Sequence, residues 1–268
     1  MTQKIKLYDA SKCTACRGCQ LACKQWNGLA AGQTQQTGTF QNPPSLQANT
    51  YMIIHFQDYV TPEGAVKWLF RKEACMHCTN AACVAVCPSG ALYYNKEFGT
   101  VGMDREKCIG CKECTQACPF EVPKYDKKTE KVYKCDMCES RIGNNLTPAC
   151  VKACPTGALK WLDKDEALKL AQARVEQLGG DANVYGDKFV GGTHLMYVLP
   201  EKADVYDGIK KDPKVPFSLT VWKSWLKPLS LLAAGGVVGG SLLHYVLHGP
   251  HRPHPEHYDQ ETKKQGGA

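Results

Sequence analysis

Cysteine dominates the chemistry that this sequence could perform. The chain of 268 residues contains 16 cysteines, and they fall into four groups that each open with C-x2-C and close with C-x3-C. Three of the four groups are followed directly by proline. We name them motif 1 (Cys13, Cys16, Cys19, Cys23), motif 2 (Cys75, Cys78, Cys83, Cys87), motif 3 (Cys108, Cys111, Cys114, Cys118) and motif 4 (Cys135, Cys138, Cys150, Cys154).

Three kinds of cysteine chemistry compete for this pattern. Disulfide scaffolds suit short secreted chains, but the segment 1–9 has no apolar stretch of a secretory signal. Structural zinc commonly uses two separated C-x2-C pairs. The compact run ending in Cys-Pro is typical of [4Fe–4S] clusters, in which three thiolates wrap one cluster and the fourth ligates a second one. The spacing therefore predicts four [4Fe–4S] clusters with all sixteen cysteines as iron ligands.

Composition narrows the class of protein further. A hydrophobic content of 43% and a charged content of 22% exclude general disorder. The formal charge of +7 could suit nucleic acid. However, a [4Fe–4S] core with four thiolates carries about −2, so four of them would bring the chain to about −1. We therefore interpret the basic excess as counter-charge for buried clusters and predict no nucleic-acid partner. The sequence has no G-x-G-x-x-G, P-loop or nucleophile motif, so no catalytic residue is predicted.

The remaining sequence supplies the elements that would position these motifs. Alternating β-branched and aromatic residues predict hairpins, a 3.6-residue apolar period predicts a helix, and polar or Gly-rich runs predict loops. His77, inside motif 2, is expected to lie near a cluster or on the surface and not to ligate iron. The predicted elements are a loop over 28–49, hairpins over 51–72 and 91–101, a helix over 163–178, a strand over 194–199 and a linker over 202–216.

A change in composition marks the segment 228–248 as a membrane-spanning helix. It contains no Asp, Glu, Lys or Arg, and 21 residues of helix reach about 31 Å, enough to cross a bilayer core. Its alternative is a buried helix of a soluble domain. Aromatic and basic residues at both ends suit the membrane interface; they are Trp222, Lys223, Trp225 and Lys227 on one side and Tyr245 and Arg252 on the other.

Four glycines give this segment a surface that another helix could contact. Gly235 pairs with Gly239, and Gly236 with Gly240, as overlapping G-x-x-x-G motifs. Small residues at this spacing let two helix backbones approach closely in a membrane. They predict a membrane-embedded partner. His244 and His248, four residues apart, could serve a metal or haem, and the tail over 250–268 is expected to be solvated.

The cysteine motifs resemble the iron–sulfur subunits that partner molybdopterin or tungstopterin oxidoreductases. The stretches 13–27 (CTACRGCQLACKQWN) and 39–44 (TFQNPP) resemble formate dehydrogenase β subunits most closely. Motif 1 departs from the usual pattern because Lys24 replaces proline after its fourth cysteine. The presence of Cys114 argues against the nitrate-reductase branch, where one cysteine of a middle group is replaced.

The resemblance implies an α+β fold of two ferredoxin-like double-cluster units with long loops, followed by one transmembrane helix. Unit one would cover about 1–72 and 125–200, with unit two inserted at about 73–124. The anchor would cover 216–249, leaving 1–215 as the four-cluster region. Sequential pairing of the motifs remains open from spacing alone. By resemblance, the clusters would be ligated by Cys13, Cys16, Cys19 and Cys154; by Cys23, Cys135, Cys138 and Cys150; by Cys75, Cys78, Cys83 and Cys118; and by Cys87, Cys108, Cys111 and Cys114.

The resemblance also implies partners and a location. A pterin-containing catalytic subunit would oxidise formate, and a cytochrome b subunit beside the glycine surface would pass electrons to quinone. The cluster region would face the periplasm of the bacterial inner membrane, with the tail in the cytoplasm. Three alternatives remain: the same role with dimethyl sulfoxide, polysulfide or thiosulfate; a soluble polyferredoxin; and a zinc-stapled nucleic-acid-binding protein.

Overall fold

The computed structural model describes residues 3–221 and 225–249. The chain divides into two compact units, with the boundary between Pro216 and Phe217. The expectations for Trp222, Lys223, Arg252 and the tail over 250–268 lie outside the described residues.

A four-stranded sheet organises the first unit. Its strand order is β8-β1-β10-β9, with β1 parallel to β10 and antiparallel to β8. The predicted strand over 194–199 is confirmed as β10. The sheet joins the two ends of the first unit, because its strands are β1 (Lys4–Asp9), β8 (Leu159–Asp163), β9 (Asn183–Tyr185) and β10 (Leu195–Leu199).

One face of this sheet is covered by helix α6 (Lys164–Leu178), which confirms the predicted helix. Alternate residues of β1, Ile5 and Leu7, pack against the fully buried Ala167 and Ala171 of the helix. Side chains of a strand point alternately to its two faces. The side chains on the opposite face of β1 therefore point into the cysteine-containing core, and Tyr8 on that face is 1% exposed.

Three hairpins extend from the cysteine motifs. The first two, over 51–72 and 91–101, are confirmed. The third was not predicted, since its strands have only three residues each and carry lysines. The hairpins are β2 (Met52–Val60) with β3 (Val66–Ala74), β4 (Leu92–Asn95) with β5 (Thr100–Met103), and β6 (Lys124–Asp126) with β7 (Lys131–Tyr133).

Short helices carry the third cysteine of each motif. Cys19 and Cys23 both lie on α1, whereas α2, α3 and α5 hold Cys83, Cys114 and Cys150. These helices place the thiols on the buried side of the unit. Their bounds, with α4 between the halves of motif 4, are α1 (Gly18–Trp26), α2 (Ala82–Ala85), α3 (Glu113–Ala117), α4 (Glu139–Ile142) and α5 (Ala149–Lys152).

The segment 202–216, which was predicted to be a linker, is held against the first unit. Tyr206 is 3% exposed, and the Gln57 side-chain amide donates to the Val205 carbonyl over 2.6 Å. The Tyr185 hydroxyl donates to the Lys210 carbonyl over 2.7 Å. Polar and proline-rich composition signalled a linker, but these contacts bind the segment to the first unit.

The second unit contains the apolar helix expected from the sequence. After α7 (Phe217–Val221), α8 runs over Lys227–His248, and Pro228–His248 is long and apolar enough to cross a membrane, with a mean hydropathy of 1.5. A Cβ added at any of its four glycines would meet no other atom within 4 Å. The rings of His244 and His248 stack with centroids 4.5 Å apart.

Candidate metal centres

All four C-x2-C loops share one backbone feature that aims N–H groups at sulfur. The residue two positions after the first cysteine has a positive φ, which residues other than glycine rarely adopt. This turn lets the Ala15 N–H donate to Cys13 Sγ and the Met137 N–H to Cys135 Sγ, each over 3.4 Å. The four residues are Ala15 (φ 52°), His77 (φ 49°), Gly110 (φ 69°) and Met137 (φ 63°). At Gly110 a Cβ would lie 2.1 Å from the Glu130 carbonyl oxygen, so only glycine fits there.

The Cys-Pro turns orient the fourth cysteine of motifs 2, 3 and 4. The third residue after each of these cysteines again has a positive φ: Gly90, Glu121 and Gly157. In motifs 2 and 4 a hydroxyl also lies beside the thiol. The hydroxyls of Ser89 and Thr156 are each 3.7 Å from the sulfur of the preceding cysteine, Cys87 or Cys154.

Motif 1 has no proline, and Asn27 supplies the orientation instead. Its side-chain amide donates to the Cys23 carbonyl over 2.9 Å and lies 3.7 Å from Cys23 Sγ. The amine of Lys24, which stands where proline is usual, donates to the Asn49 carbonyl over 2.6 Å. The sequence marked the missing proline but gave no signal for Asn27 as its replacement.

In the structure, thiols of one motif interact electrostatically with thiols of another. Burial raises the pKa of the Cys23 thiol, for example, and its interactions with Cys135, Cys150 and Cys138 raise it further. We name four sets of thiols from these interactions and the motif spacing: site A (Cys13, Cys16, Cys19, Cys154), site B (Cys23, Cys135, Cys138, Cys150), site C (Cys75, Cys78, Cys83, Cys118) and site D (Cys87, Cys108, Cys111, Cys114).

The other three sets are defined by the same kind of electrostatic interaction between thiols. Burial raises the pKa of Cys19 to about 11, with Cys13 and Cys154 among its neighbours. Cys16 is assigned to site A by its place in motif 1, and Gly18 lies between its thiol and the residue before Cys154, since a Cβ there would lie 3.7 Å from Cys16 Sγ and 3.5 Å from the Ala153 carbonyl oxygen. At site C, Cys78 interacts with Cys75, Cys118 and Cys83, and at site D, Cys114 interacts with Cys111, Cys87 and Cys108.

Thiols also interact electrostatically between sites, in the order A, B, C and D. Cys19 of site A interacts with Cys150 of site B. Cys135 of site B interacts with Cys75 of site C, and Cys83 of site C with Cys114 of site D. Every cysteine of site B is buried, whereas each terminal site has one exposed cysteine, Cys16 at site A and Cys111 at site D.

Three buried lysines lie among the sites, and sequence reasoning missed them individually. Lys6 is 1% exposed, Lys72 0% and Lys134 4%. Burial disfavours the ammonium form, but the nearby thiols of Cys150, Cys135, Cys138 and Cys23 outweigh it and raise the pKa of Lys6. Only the overall basic charge hinted at such residues. Their positions depend on which strand faces are covered, which spacing does not reveal.

His77 lies beside a site as a backbone-bound side chain. Its ring is fully buried, and Nδ1 accepts a hydrogen bond from the Val101 N–H over 3.0 Å. Burial, with Lys134 and Lys6 nearby, lowers the pKa of the imidazole. The backbone N–H of His77 also bonds the Cys75 thiol. These contacts agree with a supporting role and not with iron ligation.

The donor set fits an iron–sulfur cluster. Thiolate ligands select soft metal centres, and N–H donors around sulfur are the usual means of tuning such clusters. Each site comprises four thiols, and the buried lysines beside sites A, B and C could offset the negative charge of a thiolate-ligated cluster there. Among residues 3–221 and 225–249, no three His, Cys, Asp or Glu side chains converge on a point that would hold a single metal ion.

Three family models match parts of the chain, over residues 12–164 and 215–257. Two describe a "4Fe-4S dicluster domain" and cover residues 12–91 and 66–164. A third, "Formate dehydrogenase N, transmembrane", covers residues 215–257. The chain therefore carries four [4Fe–4S] clusters, in two dicluster domains, and its α8 segment anchors it in a membrane as a single span. The zinc-stapled alternative finds no match among these models.

Curated relatives agree with the family models. The nitrate-inducible formate dehydrogenase iron–sulfur subunit of Escherichia coli K12 is 39% identical over 92% of this chain and 86% of its own length. The formate dehydrogenase iron–sulfur subunit of Haemophilus influenzae is 38% identical over 91% of this chain and 80% of its own. The thiosulfate reductase electron transfer subunit of Salmonella typhi is 37% identical, over 62% of this chain and 78% of its own. The chain belongs to the family of formate dehydrogenase iron–sulfur subunits.

Proposed function

We propose that this chain conducts electrons from a formate-oxidising metal–pterin catalytic subunit to a cytochrome b subunit in the membrane, and so to quinone. The observation that carries this proposal is the line of four thiol sites, buried in its middle and exposed at both ends. A chain of carriers with two accessible ends accepts electrons at one surface and releases them at another. The proposal requires that formate reduces the clusters of the intact complex.

We assign the ligands of the four clusters to sites A, B, C and D as defined above. Support comes from the electrostatic contacts among the thiols of each set and from the shared loop geometry. Metal binding at such thiols replaces their protons, so cluster assembly is coupled to deprotonation of the cysteines.

The protein's own part in electron transfer is to hold, shield and separate the clusters, each of which cycles by one electron when bound. Burial of all four site B cysteines excludes water from the middle of the line. Positive-φ loops present N–H groups to sulfur without a side-chain rearrangement. A low-dielectric, preorganised surrounding of this kind keeps the reorganisation cost of a charge change small.

Thiosulfate is a second candidate substrate for the complex, because one relative is the thiosulfate reductase electron transfer subunit of Salmonella typhi. That match covers 62% of the chain, whereas the matches to the formate dehydrogenase subunits of Escherichia coli and Haemophilus influenzae cover 92% and 91%. The membrane segment also matches the transmembrane model of formate dehydrogenase N. Together these favour formate as the electron source of the complex.

We propose that the cytochrome b subunit contacts the glycine surface of α8. Among the described residues, a Cβ at Gly235, Gly236, Gly239 or Gly240 would meet no neighbouring atom within 4 Å, which leaves room for another helix. Close helix approach through small residues is a main source of helix association in membranes.

Larger side chains on this surface are expected to weaken the membrane complex. Replacing Gly236 and Gly240 by isoleucine should lower copurifying haem roughly tenfold, the equivalent of about 1.4 kcal/mol of lost association. Val237→Ile is the matched control, since it enlarges a neighbouring residue outside the glycine pairs. Unchanged haem content in the double variant would place the cytochrome elsewhere.

We propose that the cluster region lies in the periplasm of the bacterial inner membrane and the tail in the cytoplasm. The support is the family resemblance. Protease added to spheroplasts is expected to cleave residues 1–216 while a tag placed after Ala268 stays protected. Protection of the cluster region with loss of the tag would reverse the orientation.

A further inference from the structure

We propose that the buried ammonium group of Lys6 raises the reduction potential of the cluster at site B. This inference rests on the ligand grouping proposed above. Lys6 would act only through its positive charge, because it neither ligates iron nor carries the electron. The site B cluster would then be easier to reduce than it would be with its four thiolate ligands and no nearby positive charge.

The strand geometry explains how a lysine comes to point at the cysteines. Ile5 and Leu7 of β1 face helix α6, so Lys6 and Tyr8 face the opposite, cysteine-containing side. Lys6 lies in the middle of the sheet, paired with Trp161 on one side and Leu195 on the other. With only 1% of Lys6 exposed, the side chain has no route to solvent.

The partners of Lys6 are thiols and not carboxylates. No ion pair to Asp or Glu forms at Lys6 within the described part of the chain. Its ammonium bonds the Cys150 thiol and interacts with the three other cysteines of site B. A buried charge is retained only when it is paired, and the groups that act on Lys6 are the four thiols of site B, which become thiolates when they ligate the cluster.

Reduction adds one negative charge to a cluster and removes no ligand. A fixed positive charge in a low-dielectric interior stabilises the reduced form more than the oxidised form. The reduction potential of the nearest cluster therefore rises. The effect weakens with distance, so site B should respond to Lys6 far more than the other sites.

The buried lysines act on overlapping sets of thiols, and Lys6 itself also acts on Cys75 of site C, behind Lys134. Lys72 interacts with Cys19 of site A and Cys23 of site B. Lys134 interacts with Cys75 and Cys83 of site C. At site D, the thiols of Cys87 and Cys114 have no buried lysine among the neighbours that shift them. Site D thus serves as an internal reference within the same molecule.

The test is a potentiometric titration of the purified complex, with the cluster signals followed by electron paramagnetic resonance. The Cys150→Ala variant identifies the signal of site B by its disappearance. In Lys6→Gln, the ratio of reduced to oxidised cluster at site B is expected to fall about tenfold at fixed potential, a shift of about 59 mV for one electron. The site D signal should keep its midpoint, and Lys6→Arg should restore the site B midpoint.

Lys4→Gln is the matched control. Lys4 lies on the same strand and the same face of that strand, but its side chain is 43% exposed and pairs with Asp163 over 3.1 Å. It should leave every midpoint in place. An unmoved site B midpoint in Lys6→Gln, or an equal shift in Lys4→Gln, would overturn the inference.

If the Lys6→Gln complex loses the site B cluster, the Lys6→Arg variant distinguishes a role for the charge from a role for side-chain shape. A Lys6→Arg complex with its site B cluster and midpoint intact supports a role for the charge, whereas loss of the cluster in both variants would show that shape is what matters. Failure of the underlying grouping looks different. In that case Lys6→Gln would shift a signal that Cys150→Ala leaves intact.

Discussion

Replacing Cys150 by alanine is expected to remove one cluster and to interrupt the line of carriers in its middle. Cys150 is 4% exposed, hydrogen-bonds Lys6 and interacts with thiols of both site A and site B. The iron content of the chain should fall from about sixteen to about twelve. Formate-to-quinone transfer should fall by more than the roughly 10- to 100-fold that changes around a metal site typically cost.

The partners of Cys150 make this prediction sharper. Cys23→Ala and Cys135→Ala should each remove the same paramagnetic signal as Cys150→Ala, although Cys23 belongs to motif 1. Cys19→Ala should remove a different signal. Val151→Ala, a non-ligand change next to Cys150 on α5, should keep all four clusters. If Cys23→Ala instead removed the signal that Cys75→Ala removes, the motifs would pair sequentially and sites A to D would be wrong.

Much of the site could be predicted because its chemistry is local. Within each motif a few residues separate the cysteines, so the chain can only wrap a cluster or fold back on itself. Alternation and turn residues predicted the two longer hairpins, apolar periodicity predicted α6, and a 21-residue stretch without charged residues predicted α8. These features depend on neighbours in sequence, which a single sequence displays.

The meeting of distant motifs depends on topology that spacing does not encode. Lys6 of β1 pairs with Leu195 of β10, near the far end of the first unit, and β8 joins the same sheet. This sheet draws motif 1 toward motif 4 and leaves motifs 2 and 3 to each other. Spacing alone left sequential pairing open, and the family resemblance supplied the grouping.

Lys6 illustrates a second limit. In a strand with one covered face, a lysine between Ile5 and Leu7 would be read as pointing to solvent. Here both faces of β1 are covered, one by α6 and the other by the cysteine core. The net charge of +7 signalled that cations offset the clusters, but only the fold shows which lysines are buried among them.

Reduction by formate is the largest single response that the account predicts. Electrons released by a catalytic subunit at one exposed end should spread along sites A to D, whose thiols interact electrostatically from one site to the next. No step in this path requires a residue of the chain to change its covalent state. All four clusters should therefore respond together to formate within one preparation.

The most direct measurement follows the cluster absorbance and paramagnetic signals of the intact complex, purified from membranes, after anaerobic addition of formate. We expect bleaching comparable to that produced by dithionite, with signals from four interacting [4Fe–4S] clusters, and no reoxidation when thiosulfate or dimethyl sulfoxide is added. Clusters that dithionite reduces but formate leaves oxidised would contradict the account.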